Sequence, residues 1–383
     1  MKIALVLGRG IEGCGITRAS IEYKNWLEEN KYKVDVFALT EKGFSRSKSQ
    51  PFDYKSFSPK DDVSTKLNKY NKVIYLSVPS ITNSKEGISN FIKYWVDKVN
   101  KPQKVFIQGD HLKQSLNRNA RMWNVVEKCD LAFTYTKTSD FGIEFDKRFT
   151  RENLSTFFGE EKPSIPLYDF RVGMDFNPLK EYRKSFPDKK DRISYFGRFA
   201  RFKHPERVLE LRKNLKQKII VEMRGLERSI GALDIYNHPN IIEGKNKQTN
   251  FTKTYIYGPY VREEGMEEIS KSKFGCSFYE LDKRFYGSHV EYAMLEIVGL
   301  GLIPIFSKHW GDNTKHISGK PFSSIKYSGI YLGKDNMREV CEEITELNND
   351  EKSYEKYVDK CINIYKEHSS PDKTWKVLQK RIG

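Results

Sequence analysis

Gly287-Ser-His-Val-Glu-Tyr-Ala-Met-Leu-Glu-Ile-Val-Gly-Leu-Gly-Leu-Ile-Pro-Ile-Phe306 carries the pattern that decides the fold. Val290, Ala293, Met294 and Ile297 recur at helical spacing, and Leu302 to Phe306 is a brief apolar run behind Gly299 and Gly301. That order predicts a helix stopped at a glycine pair and followed at once by a buried strand. His289, Tyr292 and Glu296 fall at i, i+3 and i+7, on one face of that helix. A carboxylate one turn before the end of a helix that feeds a buried strand is costly for structure alone, which makes Glu296 a candidate ligand-binding group. An amphipathic helix with a solvated Glu fits the same segment.

The chain has 383 residues, enough for two domains with a core each. Its hydrophobic fraction is 38%, and 22 Tyr and 24 Phe supply large surfaces for burial. A formal charge of +16 suits a polyanionic partner, nucleic acid before an anionic membrane, although a Lys-rich surface alone would also produce it. Cys14, Cys129, Cys276, Cys341 and Cys361 are scattered without metal-ligand spacing, so no metal site is expected and a reducing, cytoplasmic compartment fits. The apolar run Ile3–Leu7 is too short for a signal peptide, and no window approaches the roughly 18 apolar residues that span a bilayer.

In the first half, Ile3–Leu7 reads as a buried strand, followed by Gly8-Arg-Gly-Ile-Glu-Gly-Cys-Gly15 and a helical pattern from Ile16 to Glu28. Strand, glycine loop and helix together can aim backbone N–H groups at a phosphate. Gly8, Gly10 and Gly13 satisfy the dinucleotide fingerprint, but the extra Gly15 and Glu12 are foreign to it, and the second strand has no clear ribose acid. Residues 41–60 form a polar loop in which bases such as Arg46 alternate with rings such as Phe44, a mixture suited to phosphate contact and base stacking or to a surface loop with aromatic anchors. Lys104–His111 reads as a strand with Asp110 and His111 at its carboxyl end, where parallel sheets bind ligands. The helix expected next carries Lys113, Asn117 and Arg121 at i, i+4 and i+8, with Arg118 beside them. Asp110 would serve equally as an N-cap.

Residues 160–190 lack periodicity and read as the crossing between domains. A second strand–loop–helix follows: Ile193–Phe196, then Gly197-Arg-Phe-Ala-Arg-Phe-Lys203, then a helix from about Pro205. Arg198 and Lys203 could clamp a diphosphate there and stabilise the charge on a departing nucleotide. Further strands are expected at 218–223 and 274–278, a helix to about 347, and one final basic helix over roughly 352–381.

The segment ending in Glu296, a small-residue turn and Pro304-Ile305 looks like that of two-Rossmann-domain (GT-B) sugar-nucleotide transferases, in which the Glu accepts hydrogen bonds from the nucleotide ribose. More specifically, the chain resembles the DNA α-glucosyltransferase family of T-even bacteriophages. The resemblance rests on Arg9 to Thr17, Asp110-His111 with Leu116-x-Arg118-Asn119, Gly197-Arg198 with Lys203, and Gly225-Leu-Glu-Arg-Ser229. It continues through Ser270 to Gly275 and Glu291-Tyr292 with Leu295-Glu296, in one order over nearly the whole chain.

That resemblance implies an α/β, GT-B fold: two Rossmann-like domains whose parallel sheets face a central cleft. Residues 1–175 would form the acceptor (DNA) domain, 176–355 the nucleotide-sugar donor domain, and 356–383 a helix crossing back to the first. It implies retaining transfer of a hexose from a UDP-sugar, UDP-glucose foremost, to 5-hydroxymethylcytosine in double-stranded DNA, with the target nucleotide flipped out of the helix. Asp110 would be the catalytic carboxylate. Gly13, Cys14, Gly15, Arg198, Lys203, Arg228, Glu291 and Glu296 would face the donor, and His111, Lys113, Arg118, Arg121, Arg46 and Phe44 the DNA. The resemblance calls for no metal, although a loosely held Mg²⁺ is compatible with it. It implies a phage-encoded enzyme acting in the host cytoplasm and leaves contact with a replication complex open. Two departures stand out. Gly109 occupies the position where the family has a His before the acid, and Ser288 occupies the first position of the Glu-x7-Glu pair of general retaining GT-B enzymes, an absence the phage family shares. Transfer of another sugar such as arabinose, another acceptor, or a non-catalytic protein that binds modified DNA are the alternatives.

Overall fold

The computed structural model describes residues 1–7, 15–39, 54–76, 85–107, 125–134, 165–169, 173–197, 199, 203–215, 219–224, 254–257, 262–278, 292–308, 328–333 and 335–383. The chain divides into two compact units, one holding Met1–Gly173 and Pro371–Gly383, the other Met174–Lys283 and Val290–Ser370. Each is built on one parallel sheet, the α/β class expected.

In the first unit the strands are β1 (Lys2–Leu7), β2 (Lys33–Leu39), β3 (Lys55–Phe57), β4 (Lys72–Leu76), β5 (Gln103–Ile107), β6 (Leu131–Thr134) and β7 (Leu167–Asp169). They are ordered β3-β2-β1-β4-β5-β6-β7, all parallel, so the chain order reverses between β1 and β4. Ile3 to Leu7 are fully buried, as a strand covered on both faces requires. Helix α1 (Gly15–Glu29) follows β1, and α2 (Lys85–Phe91) widens into a π-helical stretch, Ile92–Asp97. Trp95 in that stretch is fully buried, stacks on Phe91 at 5.7 Å, and its carbonyl accepts the Tyr75 hydroxyl at 2.6 Å.

The sequence pattern missed the edge strand β3. Lys55 there is ion-paired to Asp35 at 3.0 Å, and the Phe57 ring stacks on Phe37 at 5.9 Å. These two members of the base-and-ring alternation in 41–60 therefore serve the fold.

The second unit contains β8 (Lys190–Phe196), β9 (Ile220–Arg224), β10 (Thr254–Tyr257), β11 (Ser272–Ser277), β12 (Ile303–Ser307) and β13 (Ile330–Leu332), ordered β10-β9-β8-β11-β12-β13. Its longer described helices are α3 (Glu206–Asn214), α4 (Arg262–Ser270), α5 (Tyr292–Gly299), α6 (Met337–Asn349) and α7 (Glu351–Ser369). The reversal between β8 and β11 is held by Arg192, 1% exposed. Its Nη1 donates to Glu222 on β9 at 2.7 Å, its Nε to Ser272 Oγ on β11 at 2.5 Å, and its Nη2 to the Glu268 carbonyl on α4. Each nitrogen of the desolvated guanidinium has a partner, the condition under which a buried charge is tolerated. Lys189 donates to the carbonyls of Ser270 and Ser272 at 3.0 and 3.3 Å, and burial pushes its ammonium down to about 7.

The single final helix expected over 352–381 is broken. Ser370, ahead of Pro371, is extended with ψ 148°, because a proline disfavours helical backbone in the residue before it. The chain resumes as Pro371–Thr374 and then α8 (Lys376–Ile382) in the first unit. Trp375, fully buried, meets the rings of Tyr23 and Trp26 edge-on at 4.7 and 5.6 Å, and Gly173 leaves room for it.

Trp375→Ala is expected to destabilise the first unit by about 3–5 kcal/mol in urea unfolding, and a loss below about 1 kcal/mol would show that the segment docks only loosely. Lys189 carries a pH signature. Its folded-state pKa lies below that of the unfolded chain, so the folded state binds fewer protons between about 7 and the ordinary lysine range. Stability should therefore rise with pH through that window by at most about 1.4 kcal/mol per unit, and gain nothing from this group below it. Lys189→Met should lack the rise; an identical pH profile would remove Lys189 as its source.

Candidate active site

Ligands of open parallel sheets bind outside the carboxyl ends of the strands, near the point where strand order reverses. In the second unit that point is flanked by Gly197 after β8 and Ser277 at the end of β11. Gly197 has φ 149°, a backbone state that side chains disfavour, and its N–H donates to the Arg224 carbonyl at 3.0 Å. The chain turns there into the loop ending at Lys203. Phe199, fully buried, stacks on Tyr195 at 5.9 Å and anchors the middle of that loop. His204 closes it at φ 42°, with its ring nitrogen 2.9 Å from Glu206 Oε1, and α3 starts directly after Pro205. The half-buried Lys203 thus lies in sequence between two residues of positive φ, Gly197 and the adjacent His204, which is left-handed.

Arg207, the second residue of α3, donates from Nη1 to Ser307 Oγ at 3.0 Å, which ties the start of α3 to the end of β12. That strand follows α5, which carries Glu296 at 9% exposure. The helix stops as its glycines predict. Gly301 takes φ 72°, and the N–H groups of Gly301 and Leu302 return to the carbonyls of Val298 and Ile297 at 3.0 and 3.1 Å. Gly299 packs against Leu179, and its carbonyl accepts Arg183 Nε at 2.8 Å. Opposite α5, a Cβ on Gly275 would meet Ile297 at 2.8 Å, so the helix lies close on β11. Both flanks of Glu296 are set by tight packing.

Of the donor-site residues expected, Gly15, Lys203 and Glu296 are described. Gly15 is the first residue of α1, so its N–H is among those that the helix leaves without an internal partner. Gly13, Cys14, Arg198, Arg228 and Glu291 lie outside the described residues, as do Asp110 and the expected DNA contacts Phe44, Arg46, His111, Lys113, Arg118 and Arg121. Asp110 comes three residues after the last residue of β5, Ile107.

Sequence reasoning overlooked Arg207, whose only local signal is its position one turn beyond Lys203. It also overlooked Arg18, a cation in the first turn of α1, where the helix dipole is unfavourable to it, held by an ion pair with buried Glu22. Among the described residues no group of three His, Cys, Asp or Glu could hold a metal, and no helix is long and apolar enough to cross a membrane.

The family model for DNA alpha-glucosyltransferase matches residues 14–352. A DNA alpha-glucosyltransferase of Enterobacteria phage T4 is 28% identical over 390 aligned positions, covering 96% of this chain and 96% of the relative. Two solved structures share the fold at 24% identity, over 100% of this chain and 99% of theirs. One is an alpha-glucosyltransferase in complex with UDP-glucose and DNA containing an abasic site, with a TM-score of 0.79. The other is an alpha-glucosyltransferase in complex with UDP and a 13-mer DNA containing an HMU base, with a TM-score of 0.78.

Gly197→Ala is expected to strain the loop by about 1–3 kcal/mol, read as a lower melting temperature. Thermal unfolding checks it; if the transition is unchanged, the loop does not depend on this backbone state.

Proposed function

The chain belongs to the DNA alpha-glucosyltransferase family, and from that premise we propose that it moves glucose from UDP-glucose to the hydroxymethyl oxygen of 5-hydroxymethylcytosine in duplex DNA, in the cytoplasm of a phage-infected host. The observation that carries this reading is the continuity of the match, residues 14–352, across both parallel-sheet units. The relatives' complexes with UDP-glucose, with abasic DNA and with DNA containing an HMU base support the donor and the acceptor class.

The second unit binds the donor in this proposal. Arg198 and Lys203 neutralise the diphosphate as it departs, and fixed cations there lower the barrier because no reorganisation is needed while charge develops. Glu296 accepts the ribose hydroxyls. The Gly13–Gly15 loop faces the donor, and Arg228 and Glu291 complete its site. The first unit binds the DNA through Phe44, Arg46, His111, Lys113, Arg118 and Arg121. An extruded cytosine costs a few kcal/mol of stacking and pairing, which phosphate contacts offset. Asp110 orients the hydroxymethyl group and takes up the proton that its oxygen gives up on attack. The bond between the anomeric carbon and the phosphate oxygen breaks while the hydroxymethyl oxygen bonds to the same face, so the α configuration is retained. Arg207 and Gly197 act through Lys203 as positioning residues. Gly109, where the family has a His, favours a second reading in which the pocket admits another sugar such as arabinose.

Duplexes with and without 5-hydroxymethylcytosine, incubated with a panel of UDP-sugars and digested to nucleosides, test the proposal by mass. Addition of a hexose to the hydroxymethylated duplex alone is the expected result. Addition of a pentose would transfer the assignment to the second reading, and binding without addition of any sugar would overturn the enzymatic one. Asp110→Ala is expected to lower transfer by about 10²–10⁴-fold while DNA binding persists, and transfer at the wild-type rate would remove Asp110 from the chemistry.

A further inference from the structure

All strands of the first sheet are parallel, so their amino ends share one edge, opposite the edge that Asp110 follows. Lysines crowd this amino edge. Lys2 opens β1, its register partner Lys33 opens β2, and Lys72 opens β4 beside Ile3. Lys31, Lys69 and Lys101 lie in the turns leading into β2, β4 and β5. Lys2, Lys31, Lys33, Lys69 and Lys101 are exposed, and none forms an ion pair among the described residues. The carboxylates around them are otherwise engaged: Asp35 with Lys55 and Tyr70, Asp62 with Lys98, Asp97 with Lys128, and Asp130 with the Lys104 N–H. Lys2 acts on Asp35 only through space. Elsewhere in the molecule Lys24, Lys184, Lys271, Lys273 and Lys308 are ion-paired, whereas Lys352, Lys356, Lys366 and Lys380 on α7 and α8 are exposed without an ion pair among the described residues, so what distinguishes this edge is that its unpaired lysines gather at the strand ends.

The edge is also held rigid. Asn68 Oδ1 accepts the N–H groups of Asn100 and Lys101 at 3.0 and 3.1 Å, and its amide donates to the Lys98 carbonyl at 3.0 Å. Asn71 Oδ1 accepts the Lys2 N–H at 2.8 Å, and the Lys33 N–H reaches the Met1 carbonyl at 3.0 Å. Lys31 stands at φ 66°, where the end of α1 turns left-handed and its N–H and that of Tyr32 return to the Glu28 and Leu27 carbonyls at 2.9 and 3.0 Å. Glycine adopts that state without strain, so a lysine there sets a charge on the edge at a conformational cost. Neighbouring strands stand about 5 Å apart, so Lys33 and Lys2, paired in register, stand side by side on one face at a spacing that suits the closely spaced charges of a duplex, while Lys72, level with Ile3, leaves the other face and donates to Gln103 Oε1 at 2.6 Å.

We infer that this edge is a second DNA-binding surface, taking the phosphate backbone of a duplex segment other than the one presented for glucosylation. The inference rests on DNA being the substrate. Strands of five or six residues put the two edges about 15–20 Å apart, and duplex DNA, with a persistence length of about 50 nm, does not fold back over so short a distance at low cost. The occupant is therefore a separate stretch of DNA, read without regard to sequence and held with a marked salt dependence. Such a grip would let the protein pass between segments without release.

The test uses the full chain bound to an immobilised duplex containing 5-hydroxymethylcytosine and a fluorescent unmodified duplex offered in solution. Wild type should capture the second duplex, and Lys31→Gln/Lys33→Gln/Lys69→Gln/Lys101→Gln should capture about tenfold less or lower still, while single-turnover transfer to a short duplex with one acceptor stays within about twofold. Should the quadruple variant fail to fold, Lys69→Gln and Lys101→Gln alone should each reduce the salt slope of capture by about 0.9. No capture by wild type, or equal capture by the variants, overturns the inference. Loss of transfer together with capture overturns it too, by assigning the edge to the acceptor duplex, and so does displacement of the second duplex by polyglutamate at matched charge, in favour of an acidic protein. If wild type captures DNA but transfers nothing, the proposed activity fails and the second surface stands.

Discussion

A single guanidinium holds the second unit at the place where its topology is most exposed to error. Arg192 sits on the central strand β8 and bonds at once to β9 on one side and to β11 and α4 on the other, across the point where strand order reverses. A reversal leaves a crevice that loops must line, and the strands flanking it need a link that does not fill the crevice. Arg192 supplies that link from the amino-terminal third of β8, leaving Gly197, Phe199 and Lys203 at the other end to shape a ligand site. Glu222 extends the link, since its second oxygen accepts Arg224 Nη2 at 3.2 Å at the end of β9. Removing either partner would bury an unpaired charge, which costs far more than the pair contributes.

The two sheets use cations in opposite ways. At the amino edge of the second sheet Lys189, Arg192 and Lys273 are buried and satisfied by carbonyls and carboxylates, with Lys273 also 3.9 Å from the Phe186 ring centroid. At the amino edge of the first sheet the lysines are exposed and the asparagines hold the turns instead. One edge is sealed by its charges, and the other presents them.

What the sequence made legible follows from how local each signal is. The helix ending at Gly299, the turn at Gly301 and the strand at Ile303 were readable because a helix stop, a left-handed residue and an apolar run occupy ten consecutive positions. The helix start at Pro205 and the two parallel-sheet units were readable for the same reason. Arg192 was not, because Lys190-Asp191-Arg192 resembles a polar loop until Glu222 and Ser272 are brought to it from distant positions. The edge strands β3 and β7 were hidden by their three-residue length, and β3 by a composition that suits a loop. Of the donor-site residues expected, Gly15, Lys203 and Glu296 fall on described backbone; Asp110 and the DNA contacts are supported by the resemblance and by the sequence position of Asp110 behind β5.

The burial of Trp375 against Tyr23 and Trp26 has a consequence for how the protein is made. Residues 1–173 emerge first from a ribosome, but the unit they belong to lacks a core residue until position 375 has been added. At synthesis rates of about 5–20 residues per second, the intervening stretch of some 200 residues takes roughly 10–40 s. The second unit, almost all of it contiguous, can fold in that interval. The unit translated first is thus the last to be completed, and until then its α1 face is a hydrophobic surface open to chaperones.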